Sequence, residues 1–307
     1  MQSTDLSCES VFIVGCGYVG TALSQRLLSM GARVGALTRN RQQIARLRAM
    51  GVHEAIVADV DDPRWMEQVQ GEYRILVNCV SSAGGGLAGY KKSYVDGQRV
   101  ALAWAQTHGI ERYMYTSSTS IYPQTQGELV DTLAATQPAS DTAECLLLGE
   151  DLVLQAAAAF ERHFVFRLAG IYGPERHFLL DQLRQGAGVI AGRGDYTLNL
   201  IHRDDIVALL ILAMRNTQAS SGIYNVADQG AAQKAEVLAW LAQQTGQPLP
   251  TFDPNMRSSR LRRRSGHIPD RVICSLQTRQ AFDWQPRYRD YRMGYSGLLQ
   301  GLEASSG

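Results

Sequence analysis

The sequence has little of what marks several classes of protein. Its 307 residues carry 30 Lys and Arg against 29 Asp and Glu, a formal net charge of +1, so bulk charge does not favour binding to nucleic acid or to a membrane surface. No apolar run approaches the length of a membrane span, and the polar N-terminus lacks the apolar segment of a secretory signal. We therefore predict a cytoplasmic protein whose partners include no nucleic acid and no membrane.

Cysteine and histidine are also too scattered to build a site. The five cysteines are odd in number and contain no C-x-x-C pair, and the six histidines lack paired metal-ligand spacing. Such cysteines are typical of reduced thiols in a cytosolic protein. We predict that no metal site is present.

The most informative stretch is residues 10–39, in which an apolar run, a glycine-rich turn, a helical pattern and a second apolar run follow one another. This strand–turn–helix–strand context makes the G-x-G-x-x-G match evidence for dinucleotide binding. Gly15 permits the tight turn, Gly17 lets a pyrophosphate approach the backbone, and Gly20 lets helix and strand pack closely. The predicted cofactor-binding residues here are Gly15, Gly17, Tyr18, Val19 and Gly20.

Acidic residues are absent between Gly20 and Glu54. NAD-binding folds usually place an Asp or Glu in that interval to hold the ribose 2′-hydroxyl. Thr38 and Arg39 stand there instead, and a guanidinium suits a 2′-phosphate. We predict that Thr38 and Arg39 bind the cofactor and that it is NADP(H), with NAD(H) the less favoured alternative. The alternative for Arg39 is a solvated surface arginine.

Strand and helix patterns alternate along the first two thirds of the chain, which predicts an α/β fold with a doubly wound parallel sheet of the Rossmann type. We assign residues 1–170 and 196–228 to this domain. A smaller, mixed C-terminal substrate domain is predicted from residues 171–195 and 229–307, because 247–307 is rich in Arg and Pro and less regular. Residues at the carboxyl ends of the strands should gather at one edge of the sheet.

Several motifs together resemble a known family, the extended or atypical extended short-chain dehydrogenases/reductases of the NAD-dependent epimerase/dehydratase group. They are GCGYVG, YTSSTSIYP, FRLAGIYGP and LIHRDD, in the expected order along almost the whole chain. The resemblance implies the same extended Rossmann fold and a nicotinamide cofactor.

The resemblance also implies roles for single residues. Asp59 and Val60 would contact the adenine, and Ser81 and Ser82 would lie along the nicotinamide ribose. Arg167 falls in a strand-to-loop passage near the cofactor; the alternative is a largely structural role. Ser118, four residues before Tyr122, falls where the family keeps its catalytic hydroxyl; the alternative is a strand-end serine that bonds backbone.

The family's chemistry depends on a Tyr and a Lys on the helix after this serine loop, and residues 123–166 contain neither. Three hypotheses follow. Another group, such as Tyr90 beside Lys91 and Lys92, or Tyr122, transfers the proton. Alternatively, the protein is a reductase that uses only hydride delivery and the Ser118 hydroxyl. In the third, it is a catalytically inactive NADP(H)-binding sensor that acts on a protein partner.

The substrate is predicted to be a small molecule, phosphorylated or nucleotide-linked. Relatives acting on nucleotide sugars hold a diphosphate with arginines of the smaller domain, so Arg257 and Arg260 in the run RSSRLRRR are the predicted substrate-binding residues. The alternative is a solvated basic loop. A homodimer that pairs through helices at 90–107 and 145–160 is a further expectation of the resemblance.

Overall fold

The computed structural model describes residues 5–82, 85–138, 140–256 and 268–304. Its α-helices are α1 (Tyr18–Ser29), α2 (Arg41–Ala49), α3 (Gly86–Tyr90), α4 (Gly97–Thr107), α5 (Asp141–Gln155), α6 (Phe178–Arg184), α7 (Arg203–Arg215), α8 (Lys234–Thr245), α9 (Leu276–Phe282) and α10 (Tyr291–Ala304). A π-helical turn, Lys91–Asp96, joins α3 to α4.

The strands are β1 (Ser10–Val14), β2 (Arg33–Thr38), β3 (Glu54–Val57), β4 (Ile75–Asn78), β5 (Arg112–Ser118), β6 (Glu128–Val130), β7 (Arg162–Leu168), β8 (Gly170–Tyr172), β9 (Val189–Ala191), β10 (Thr197–Leu198), β11 (Leu200–His202), β12 (Gly222–Val226), β13 (Ala232–Gln233), β14 (Thr251–Asp253) and β15 (Arg271–Ile273).

A seven-stranded sheet with the order β12-β7-β5-β4-β1-β2-β3 organises the fold. Strand β1 pairs in parallel with both β2 and β4, so the strand order reverses between β1 and β4. The carboxyl side of such a reversal is where open α/β sheets bind ligands. The sheet confirms the predicted Rossmann-type α/β fold.

Contacts divide the chain into two compact units. The first unit comprises Met1–Ile121, Asp141–Arg167 and Ile206–Tyr224, and the second comprises Tyr122–Ser140, Leu168–Asp205 and Asn225–Gly307. The first unit has an aromatic core in which Phe12 stacks on Trp65 at 5.8 Å and lies 4.9 Å from Trp104. In the second unit Tyr172 stacks on Tyr295 at 4.9 Å, beside leucines of α6 and α8.

This division differs from the predicted domain boundaries. Four stretches that we assigned to the Rossmann domain belong to the second unit, namely residues 122–140, 168–170, 196–205 and 225–228. The reason is strand pairing that spans long stretches of sequence: β6 pairs with β15, and β10 pairs with β13. A short strand of three residues gives no sequence signal of its partner.

Two further differences concern helices. The helix expected over 90–107 is interrupted by the π-helical turn at Lys91–Asp96. The less regular tail contains α9, and α10 begins at Tyr291. Among the described residues, no helix combines the length and apolar character needed to cross a membrane.

Candidate active site

The glycine-rich turn between β1 and α1 fits the roles predicted for it. Gly15 has φ +82°, and a Cβ built on it would lie 2.7 Å from the Cα of Val80. A Cβ on Gly20 would lie 3.0 Å from the Gly15 carbonyl oxygen and 3.1 Å from Cγ2 of Ile13. Gly15 therefore requires glycine for the turn, and a side chain at Gly20 would crowd the close contact of α1 with β1.

Gly17 differs, because a Cβ at this position would meet no crowding atom in the part of the chain that the structure describes. The nearest atom to a Cβ built there is the Gly15 carbonyl oxygen, 3.9 Å away. Gly17 precedes α1, whose N-terminus has no side-chain cap and no acidic residue in its first turn. A bare glycine at an uncapped helix N-terminus fits the close approach of a phosphate group.

Cys16, inside the turn, is not a reactive thiol. Its side chain is fully buried, and its Sγ lies 3.4 Å from Oγ of Ser24. Burial raises the pKa of the Cys16 thiol. The protonated thiol therefore acts as a small packing group beneath the turn.

At the end of β2, Thr38 is buried and Arg39 is exposed. The Thr38 hydroxyl accepts a hydrogen bond from the backbone N–H of Asn40 at 3.2 Å. Asn40 caps α2 by accepting from the N–H of Gln42 at 3.0 Å. These bonds fix the backbone on both sides of Arg39 and leave its guanidinium in solvent, where it can meet an anion.

Asp59 and Val60 follow β3. The Asp59 carboxylate pairs with Nζ of Lys92 at 2.9 Å. Val60 is anchored by its carbonyl, which accepts a hydrogen bond from Nε1 of Trp65 at 3.1 Å.

Ser81 and Ser82 follow β4, where the sequence did not reveal the residues that support them. Asn78 is fully buried; its side chain donates to Gln98 and accepts from the Val80 N–H at 3.2 Å. The Ser82 carbonyl accepts from the N–H of Gly85 at 3.2 Å. The sequence signal that could have revealed this support is Asn78 itself, a single amide at the end of the apolar run ILVN.

Ser118 ends β5 and is half-buried. Its Oγ accepts a hydrogen bond from the Ser120 N–H at 3.2 Å. This is the bond to backbone that the sequence offered as the structural alternative. It uses a lone pair of the oxygen, so the hydroxyl proton remains available for donation.

Directly before it, Ser117 belongs to a buried network. Its hydroxyl donates to Glu150 at 2.5 Å, and Arg167 donates to Glu150 through both Nε and Nη2, the latter at 2.7 Å. Arg167 and Glu150 are 4% and 1% exposed. This ion pair favours a structural role for Arg167 over the predicted contact with the cofactor.

The helix α5 presents a mostly apolar face. Cys145, Leu146, Gly149 and Glu150 are buried, whereas its other acidic residues point outward. Gly149 allows close packing, since a Cβ there would lie 2.5 Å from the Tyr94 carbonyl oxygen.

Of the tyrosines predicted as catalysts, Tyr90 lies in the first unit and Tyr122 in the second. Tyr90 is half-buried, and its ring lies 5.2 Å from that of Tyr94. Tyr122 is 1% exposed, and its hydroxyl donates to Oδ1 of Asn225 at 2.8 Å. Tyr122 is therefore better suited to a structural role than to proton transfer.

Two predictions have limited structural coverage. Arg257 and Arg260 lie outside the described residues. Within the described part of the chain, no group of three or more His, Cys, Asp or Glu residues is arranged to hold a metal ion.

Comparison with known proteins gives the geometry a context. Residues 11–227 match the model of the NAD dependent epimerase/dehydratase family. The chain belongs to this family. The match covers the glycine turn and all seven strands of the sheet, and it confirms the resemblance drawn from the sequence motifs.

Two similar proteins differ in whether their names state an activity. Protein YeeZ of Escherichia coli (strain K12) is 26% identical over 227 residues, 71% of this chain and 77% of that protein. A 2-alkyl-3-oxoalkanoate reductase of Stenotrophomonas maltophilia is 28% identical over 210 residues, 65% of this chain and 63% of that protein.

A solved structure extends the likeness to the whole fold. The UDP-glucose 4-epimerase of Thermotoga maritima with UDP-glucose superposes with a TM-score of 0.80 at 15% identity, covering 95% of this chain and 99% of that one. At this identity the likeness establishes the epimerase/dehydratase fold and not the substrate.

Proposed function

We propose that this protein is an NADP(H)-dependent enzyme of the epimerase/dehydratase family that oxidises, reduces or epimerises a small molecule at a carbonyl or hydroxyl carbon. The observation that carries the proposal is Gly17, where the protein itself leaves room for a side chain. A pyrophosphate seated on the turn accounts for that space. The reductase name of one relative and the epimerase name of the solved structure support this reaction class.

In this proposal the residues at the sheet edge share the binding of the cofactor. The glycine turn and the α1 N-terminus hold the pyrophosphate. Arg39 binds the 2′-phosphate through charge-assisted hydrogen bonds. Asp59 and Val60 hold the adenine, and Ser81 and Ser82 border the ribose of the nicotinamide. When bound, the cofactor supplies or accepts a hydride.

Ser118 orients the substrate. Its Oγ already accepts from the Ser120 N–H, so its proton is free to be donated to a substrate carbonyl oxygen. Such a bond stabilises the negative charge that develops on that oxygen during reduction. For the proton transfer we favour Tyr90, which is half-buried, over Tyr122, whose phenol is buried on Asn225.

The substrate contacts and the cellular location stay predictions. Arg257 and Arg260 are proposed to bind a phosphorylated or nucleotide-linked substrate, and a homodimer and a cytoplasmic location are expected from the sequence.

Cofactor choice is tested by calorimetry with NADPH and NADH on the parent, on Arg39→Ala and on a control, Arg48→Ala, at the far end of α2. Loss of a charge-assisted bond of about 1.5–3 kcal/mol should weaken NADPH binding roughly tenfold to a hundredfold and leave NADH binding unchanged. The control should retain the parent's preference. A parent that binds NADH as tightly as NADPH would contradict the assignment.

Catalysis is tested by turnover of carbonyl compounds and nucleotide sugars with NADPH or NADP⁺. Ser118→Ala should lower kcat by roughly a hundredfold, the effect of removing one hydrogen bond to the developing oxyanion. The affinity for NADPH should stay within about twofold, because Ser118 touches substrate and not the adenosine half. An unchanged kcat would remove Ser118 from the mechanism.

A second candidate function is favoured by the face of α5. This helix contains no Tyr and no Lys, and Leu146 and Gly149 lie buried on it. A protein that keeps the cofactor site but lacks those groups is suited to sense NADP(H) rather than to turn substrate over. Tight NADPH binding with no turnover across the panel would favour the sensor.

A further inference from the structure

Lys92 belongs to the π-helical turn between α3 and α4, and its side chain contacts the loop that follows β3. Its Nζ lies 2.9 Å from Oδ2 of Asp59 and 3.5 Å from Oδ1 of Asp61. One ammonium therefore bridges two carboxylates that stand two residues apart on the same loop. The hydrogen bond that Lys92 donates to Asp59 is the main cause that raises the pKa of Lys92, which keeps the ammonium charged.

The π-helical turn sets the direction of the Lys92 side chain. A π-helical turn inserts one extra residue into a helix and is frequent at functional sites. Each helical residue advances by about 100°, so the insertion rotates Lys92 by about that angle relative to α4. The neighbouring Gly97 shows how closely the loop is held, since a Cβ there would lie 2.3 Å from Cγ1 of Val60.

Hydrogen bonds also hold the other side of the loop. The Val60 carbonyl accepts from Trp65, and Asp62 accepts the backbone N–H and the guanidinium of Arg64, the latter at 2.6 Å. Asp59 and Asp61 pair instead with Lys92. Without that cation, two adjacent carboxylates would repel each other and any anionic ligand.

We propose that Lys92 is a positioning residue for the adenine of the cofactor: by holding Oδ2 of Asp59 and neutralising Asp61, it leaves the Asp59 carboxylate oriented to accept a hydrogen bond from the adenine 6-amino group. This inference rests on the proposed dinucleotide site and adds a determinant of base recognition to it. Hypoxanthine has an oxygen in place of the amino group, so its dinucleotide presents an acceptor to the carboxylate and binds less well.

The test compares Lys92→Met with Lys91→Met, a matched control at the exposed neighbouring lysine. Calorimetry measures the Kd of NADPH and of its hypoxanthine analogue for the parent and both variants. We expect the parent and Lys91→Met to prefer the adenine form by about tenfold, the size of one hydrogen bond to a charged group. Lys92→Met should weaken NADPH binding by about fivefold or more and narrow the preference to about twofold.

A double-mutant cycle with Asp59→Asn separates positioning from a general charge effect. If Lys92 acts through Asp59, Lys92→Met should change the adenine preference little in the Asp59→Asn background. The inference is overturned if Lys92→Met reduces the adenine preference as much in the Asp59→Asn background as in the parent. It is also overturned if the adenine preference survives Lys92→Met. A parent that binds neither dinucleotide refutes the proposed function instead, so the two failures are distinguishable. Because both lysines are on the surface, thermal unfolding of the variants should match that of the parent.

Discussion

The two compact units bury carboxylates in opposite ways. In the first unit Glu150 is neutralised by a buried guanidinium, with Nη2 of Arg167 at 2.7 Å. In the second unit Asp205 and Asp228 are 2% and 5% exposed and are held mainly by backbone N–H groups. Asp205 accepts from the N–H groups of Arg287 and Tyr288, and Asp228 accepts from that of Gly230.

The difference teaches how each unit compensates its buried carboxylates. A guanidinium carries a full charge and can compensate a buried carboxylate, so Glu150 ties α5 to β7 as an ion pair. Backbone N–H groups carry only partial charge, and burial raises the pKa of Asp228 to about 7. Burial likewise raises the pKa of Asp205. The first arrangement is sensitive to the loss of a partner, and the second is sensitive to pH.

The sharpest way to break the first arrangement is Arg167→Met. It leaves Glu150 buried without a cation, which we expect to lower the free energy of unfolding by about 3–5 kcal/mol. Urea unfolding measures this loss. It is the largest effect expected here, because a buried charge without its partner is among the costliest defects in a core.

The double variant Arg167→Met, Glu150→Met is the control for that experiment. Replacing both partners by apolar groups removes the uncompensated charge, so it should recover most of the stability lost by Arg167→Met. If the single variant is as stable as the parent, the ion pair does not hold α5 against β7. If the double variant is less stable than the single one, Arg167 matters through packing and not through charge.

The same comparison explains what the sequence could predict. The conformation of the glycine turn and the position of Arg39 after β2 could be predicted from local sequence, because both depend on neighbours within one strand–turn–helix unit. Asn225, which binds Tyr122 from about a hundred residues away, could not be found, because nothing in the sequence pairs a buried phenol with a particular amide. The π-helical turn was missed for a related reason: apolar spacing over 90–107 fits a continuous helix, and one inserted residue barely changes it.

The predicted domain boundaries differ from the two compact units for the same physical reason. Three-residue strands such as β6 and β15 have no periodicity to read, and their pairing is decided by tertiary contacts. The family resemblance, in contrast, rested on long motifs in a fixed order and was confirmed by the match over residues 11–227. The roles of single site residues stay predictions.

The second arrangement is probed by Asp228→Asn, with a smaller expected effect that depends on pH. The pKa of Asp228 is about 7 in the folded protein against about 3.9 when unfolded. Between those values the folded state binds more protons, so its contribution to stability is greatest below about pH 4 and is lost as the pH rises through 7. His202, whose pKa burial lowers to about 4, has the opposite dependence below about pH 6.5, but it is present in both proteins and cancels in their difference.

From pH 5 to pH 8 the parent should lose about 2–3 kcal/mol of unfolding free energy relative to Asp228→Asn, measured by urea unfolding at both pH values. The control is Asp151→Asn at an exposed carboxylate, whose stability should change with pH as that of the parent does. If the free energy of unfolding changes equally with pH in the parent and in Asp228→Asn, Asp228 is not held protonated, and the two units do not bury their carboxylates in different ways.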